Sequence, residues 1–205
     1  MIPAAAPPEK TVPDQEHPVF LREGRGRFAF RLSNQGVRLT QDALAWSHDG
    51  EERRYAFTEI TTIRLQVMHV HKSGDVGTCQ IQFRDGRLLT VNGGSAYGFA
   101  DDAQAQAYAA FVRDLHARLA AARMTTIRYL AGSTESAHTT AAVVMVVGAL
   151  FFIGAPLVLL VIVPRWEVLG ALAAGAALIW PLWSKLEANR PRGYTPDSVP
   201  AELVP

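Results

Sequence analysis

The spacing of apolar positions changes twice along this chain, from a period of two, to a period near four, to runs with no polar face at all. Between residues 27 and 92, short segments rich in β-branched and aromatic residues are punctuated by Gly, Asn and Asp about every ten residues, the pattern of a β meander. Strands are expected at 27–33, 36–40, 43–48, 52–57, 61–70, 78–84 and 88–92. Alternation assigns their faces: Ile63, Leu65, Val67 and His69 share one side, and Cys79, Ile81 and Phe83 share the core side of the next strand. For Leu89 and Val91 to point inward, with Leu89 facing Phe83, the connection must be a bulged three-residue loop, Asp85-Gly86-Arg87. A two-residue turn would flip them outward.

After Gly93-Gly94-Ser95 the period lengthens. Asp101 and Asp102 are N-cap candidates, and Ala107, Phe111, Leu115 and Leu119 recur every fourth position, with Tyr108 and Val112 beside them. An amphipathic helix over 101–122 follows, its remaining wheel occupied by Arg113, Asp114, Arg118 and Arg123. Residues 141–163 are then 23 positions without a charge, long enough to cross a hydrocarbon core of roughly 30 Å. A second run, 168–183, has 16 residues and reaches spanning length with Trp166 and the Ser184-Lys185 stem. Gly170 with Ala174, and Ala171 with Gly175, would let two such helices approach closely. These divisions give a disordered Pro-rich lead at 1–20, a β domain at 21–124, a connector at 125–138, a transmembrane hairpin at 139–185 and a Pro-rich tail at 186–205.

Charge supplies the orientation. Arg123 and Arg128 precede the first run, Lys185, Arg190 and Arg192 follow the second, and the intervening loop carries only Arg165. The rule that basic flanks stay inside then places both termini in the cytoplasm. No basic, apolar leader opens the chain, so the first span is expected to act as the insertion signal. The net charge of +1 gives no reason to invoke nucleic acid, and one cysteine, Cys79, excludes an intramolecular disulfide. Neither apolar run contains an ionisable side chain, which argues against an ion or proton conduit.

The hairpin Gly36-Val37-Arg38-Leu39-Thr40, the approach Tyr55-Ala56-Phe57-Thr58-Glu59-Ile60 to a long strand and the turn Arg84-Asp85-Gly86-Arg87 stand within a succession of seven strands and one helix. Over residues 27–122 this resembles the pleckstrin-homology-like (PH-like) fold, and in particular bacterial membrane proteins that join a PH-like domain to transmembrane helices. The resemblance implies an α+β chain: a seven-stranded antiparallel PH-like barrel or sandwich capped by a C-terminal helix, followed by an α-helical transmembrane hairpin. It also implies a cytoplasmic domain used for binding or assembly.

Candidate chemistry is sparse. Arg22, Arg25, Arg27 and Arg31 form a basic cluster that could touch anionic lipid, at about 1 kcal/mol per charge near a membrane surface. If the fifth and sixth strands place His69 opposite Cys79, with His71 following on the same face, two imidazoles and a thiol converge as in a zinc site, without an evident fourth ligand. Core-edge packing is the simpler reading. No catalytic residues, cofactor or metal site are assigned. The expected function is a non-enzymatic scaffold or adaptor in the bacterial inner membrane, with lipid bilayer, an unidentified protein and a second copy of the chain as the partners considered. The alternatives are a lipid- or small-molecule-responsive sensor and, further off, a metal-dependent enzyme.

Overall fold

A computed structural model describes residues 13–24, 33–34, 36–48, 50–70, 74–162 and 165–204. Nine strands come first: β1 (Gln15–His17), β2 (Phe20–Glu23), β3 (Ser33–Asn34), β4 (Val37–Leu39), β5 (Ala43–His48), β6 (Glu51–Ala56), β7 (Ile60–Val70), β8 (Gly74–Phe83) and β9 (Leu88–Asn92). Helix α1 (Asp102–Ala121) and strand β10 (Arg128–Ala131) follow. The apolar region forms α2 (Glu135–Ala149), α3 (Ala155–Ile162) and α4 (Trp166–Ala188), after which β11 (Arg192–Gly193) pairs with β10. The molecule is thus an α+β chain in which a β-rich domain precedes two long apolar helices. By its contacts the chain divides into two compact units, one running to Tyr129 and resuming at Tyr194, the other being Leu130–Gly193.

The β-rich region forms two sheets, ordered β1-β4-β5-β6 and β10-β7-β8-β9-β2-β3, with the pairings among β1 to β9 antiparallel. Alternation predicted most of their inner faces, although Val67, expected in the core, is only half-buried. Ile63, Leu65, Cys79, Ile81, Leu89 and Val91 are fully enclosed, as are Leu39 and Leu44 of the first sheet. Burying each such aliphatic side chain contributes about 1.5–3 kcal/mol. Between β8 and β9 the three-residue loop is real, but its residues are Arg84-Asp85-Gly86. Gly86 N donates to Phe83 O at 3.0 Å with Gly86 at φ 86°, and Phe83 N donates to Arg87 O. This is a tight turn closed by a left-handed glycine, and it sets Leu89 opposite Ile81 instead of Phe83.

Helix α1 begins where the cap predicts, with Asp101 accepting from Gln104 N at 3.0 Å. Its stripe of Tyr108, Phe111, Val112, Leu115 and Leu119 is fully buried. Tyr108 lies over the backbone of Gly77 and Gly93, where a Cβ on either glycine would fall inside the ring's van der Waals envelope. Two missing side chains, one on β8 and one just after β9, thus admit one large ring.

In the second unit, the candidate spans are Glu135–Ile162, 28 residues, and Trp166–Glu187, 22 residues, both long and apolar enough to cross a membrane. The second is an uninterrupted helix despite Pro181, so the short run seen in the sequence is extended at both ends. Pro156 has no N–H to donate, and the first span widens just before it into a π turn over Leu150–Gly154, with Ala155 N bonding Leu150 O. Gly175 packs against the carbonyl of Phe152, where a Cβ would collide with the oxygen. The expected close approach through small residues is therefore made at Gly175, whereas Gly170 meets nothing within 4 Å.

Several expectations are corrected. The lead at 1–20 is not wholly without structure, because β1 pairs with β4 and β2 with β9, both between strands far apart in the chain. Its prolines flank these strands instead of sitting in them: Pro13 precedes β1 and Pro18 separates β1 from β2. Strands β1, β2 and β10 bring these two described sheets to ten strands against the seven expected. Of the strand predicted at 27–33, residues 27–32 lie outside the described residues, and Ser33 belongs to β3. The connector becomes strand β10 and an early helix start at Glu135, capped by Thr134.

Candidate functional site

The predicted basic cluster is represented among the described residues by Arg22 alone, since Arg25, Arg27 and Arg31 lie outside them. Arg22 sits on β2 opposite Thr90, partly exposed, with its Nε enclosed. The His69 and Cys79 convergence is not formed. Cys79 is opposite Leu65, and His69 is opposite Asp75, so the two lie four positions apart along the ladder instead of facing each other. His71 lies outside the described residues. Burial pushes the Cys79 thiol up, away from the thiolate that a nucleophile or ligand would need. Among the described residues there is no group of three His, Cys, Asp or Glu able to hold a metal ion.

What the fold does assemble is three polar clusters, none of them legible in local sequence. The first lies on α1. Arg118, expected to be solvated, is 5% exposed. Its Nε donates to Asp114 Oδ1 at 2.9 Å, Nη1 to Thr40 O at 2.9 Å and Nη2 to Pro13 O at 2.9 Å. The other oxygen of Asp114 lies 3.1 Å from Nε2 of buried His17, whose ring meets Phe111 edge-on. One guanidinium thereby ties α1 to the chain before β1 and to the β4–β5 turn. A planar fork with several donors suits that task.

The second cluster joins the two sheets. Glu23 of β2 faces Arg53 Nε at 3.3 Å and Arg87 Nη1 at 3.4 Å, and accepts from the Trp46 indole at 3.4 Å. Arg87 also pairs with Asp85 at 3.2 Å, and Tyr55 donates to Asp85 at 2.8 Å. A backbone N–H bond from Arg87, helped by the Tyr55 hydroxyl, lowers the Asp85 carboxyl below its usual range. Beneath these charges Trp46, Tyr55 and Phe83 pack ring on ring, with centroids 4.3–5.6 Å apart. Each guanidinium is matched by a carboxylate, so the cluster fastens the sheets and leaves no net charge to attract an anion. Beside it, Glu16, Arg38, Ala45, Trp46, Ser47 and Glu52 line an open concavity of about 300 Å³, bridged at its rim by an Arg38–Glu52 ion pair.

The third cluster brings the end of the chain back to α1. His116 Nδ1 donates to Val112 O at 2.7 Å, which leaves Nε2 to accept from the Tyr194 hydroxyl at 2.8 Å. Burial holds His116 below its ordinary pKa. Burial likewise pushes Tyr129 up to about 12 and Tyr194 higher still. The rings of His116, Tyr129 and Tyr194 lie within 5.6–5.9 Å of one another, and Leu203 further along is buried. The tail from Tyr194 is therefore part of the β-rich unit. Only its isolated apolar residues, Tyr194, Leu203 and Val204, hinted at this.

No protein-family profile, curated protein or solved structure matches this chain. The class it defines is set by its own architecture, a β-rich domain followed by two long apolar helices.

Proposed function

We propose that the protein is a non-enzymatic scaffold or adaptor that presents a PH-like β unit to protein partners at the cytoplasmic face of a bacterial inner membrane, anchored by its helical hairpin. The observation that carries this reading is the composition of the β-rich unit, which contains residues from both sides of the two candidate spans. A chain that leaves a folded unit at Tyr129 and rejoins it at Tyr194 must cross the bilayer twice or not at all. Two sheets, an ordered C-terminal helix over them and the Arg and Lys bias around the spans support the PH-like and cytoplasmic parts. Polar clusters that are satisfied internally, with a buried and unreactive Cys79, support binding over catalysis.

Topology is tested with cysteines placed at Asp197 and Glu167 and a membrane-impermeant maleimide on intact cells. Labelling at position 167 and protection at 197 are expected; the reverse pattern overturns the orientation. The adaptor role is tested by a photo-crosslinking residue at Ser47, on the exposed face of the first sheet, in native membranes. A discrete protein adduct is expected, whereas turnover or stoichiometric metal in the purified chain would overturn the non-enzymatic reading.

A further inference from the structure

The large hydrophobic residues that the β-rich unit leaves exposed, among its described residues, are Met68, Tyr97 and Phe99, at 55%, 72% and 57%. They stand at one end of the second sheet. Met68 on β7 is opposite Val76 on β8, and Val76 is covered by the loop at Gly94, with a side-chain methyl 3.0 Å from where a Gly94 Cβ would stand. That loop carries Tyr97 and Phe99. It is held in shape: Gly94 and Ala100 bridge, Ser95 N donates to Phe99 O at 2.8 Å, Phe99 N donates to Ser95 Oγ at 3.2 Å, and Gly98 N donates to Ser95 O at 2.9 Å with Gly98 at φ 80°. A turn closed by these bonds presents two aromatic rings outward, where ordering them on contact loses little conformational freedom.

We infer that Met68, Tyr97 and Phe99 form a second membrane contact, seated in the headgroup region of the bilayer that the hairpin spans. The inference rests on the anchored reading above. Between Tyr129 and Glu135 there are five residues, and their reach is at most about 18 Å, so a hairpin in the bilayer keeps the β-rich unit at its surface. Tyrosine suits that layer, with an apolar ring and a hydroxyl that stays wet. The neighbouring charges, Asp101 and Asp102, are acidic. The contact is therefore apolar and independent of anionic lipid, unlike a basic headgroup site.

The test uses the full chain in nanodiscs with an environment-sensitive fluorophore on single cysteines. Buried Cys79 stays unlabelled. Tyr97→Cys is compared with Glu51→Cys on the first sheet and with Val147→Cys within the first span, using lipids that carry a nitroxide near the headgroup or deep in the acyl chain. The label at 97 is expected to shift to the blue and lose intensity with headgroup nitroxides, equally in zwitterionic and anionic discs, while that at 51 does neither. If the label at 147 is quenched by deep nitroxides and that at 97 behaves like 51, this inference falls and the anchor stands. If 147 is not quenched, the anchor itself fails and the inference with it. Quenching at 97 that requires anionic lipid, or a blue shift that appears only with two copies per disc, also overturns it, the latter in favour of contact between copies.

Discussion

Helices α1 and α4 have similar lengths, 20 and 23 residues, and opposite surfaces. α1 hides one apolar stripe completely and, beside it, encloses Arg118, a charge with three polar partners to hold. α4 leaves Leu169, Leu178, Trp180 and Trp183 exposed and keeps its ionisable groups, Glu167, Lys185 and Glu187, near its ends. The difference teaches how solvent decides what a helix can bury. In water, apolar side chains drive α1 onto the sheets and a buried cation survives only because every neighbouring acceptor is placed for it. In lipid, apolar exposure has no penalty, and close packing at a position such as Gly175 takes the place of the hydrophobic drive.

The contrast can be broken from its most demanding point. Arg118→Ala leaves Asp114 and two carbonyls without their donor and is expected to destabilise the β-rich unit by about 3–5 kcal/mol, read as a fall in the denaturant midpoint of the full chain in detergent. The matching change at exposed Arg165 should leave that midpoint unmoved. Leu115→Ala opens a cavity under α1 and is expected to cost about 2–5 kcal/mol by the same measurement, whereas Leu150→Ala, at a position 65% exposed, should not register. Val147→Arg puts a cation at the middle of the first span and should reduce membrane insertion by about 2.5–3.5 kcal/mol, scored by the fraction integrated. The β-rich unit's own buried arginine shows that it is the missing acceptors, and not the charge alone, that make the change harmful.

The smallest effect sharpens the role of the returning tail. Tyr194→Phe removes the hydroxyl that His116 accepts and should cost about 1 kcal/mol. Because folding lowers the His116 pKa, the unfolded chain binds more protons at mildly acidic pH. The stability this group contributes is thus complete above its ordinary pKa of about 6.5 and is lost as pH falls below that value toward the folded pKa. Comparing midpoints at pH 7.5 and 5.5 should show a smaller acid loss in His116→Gln than in the unaltered chain; an equal loss would remove His116 from the account.

Much of this was legible along the chain, for reasons that are local. Strands β4 to β9, the cap and stripe of α1 and the two apolar runs each declare themselves within ten to twenty residues by period, turn residues or lack of charge. The misses share a different cause. β1 forms because a strand edge at β4 is available to it, and nothing in Gln15–His17 announces that edge. Arg118 looks solvated on a helical wheel, and only the arrival of Pro13 and Thr40 supplies its acceptors. His69 and Cys79 lie four positions apart along the ladder, a separation that depends on where the chain turns.

The sequence by itself determined that a β-rich unit, an amphipathic helix and two membrane-length helices exist, because each follows from the periodic placement of apolar groups. Only the tertiary structure decided that Pro13 and Tyr194, 181 positions apart, both close onto α1, that Gly175 meets the Phe152 carbonyl, and that Tyr97 and Phe99 stand outside the core. Those outcomes depend on groups far apart in the chain satisfying one another's hydrogen bonds and volume, which no local period records.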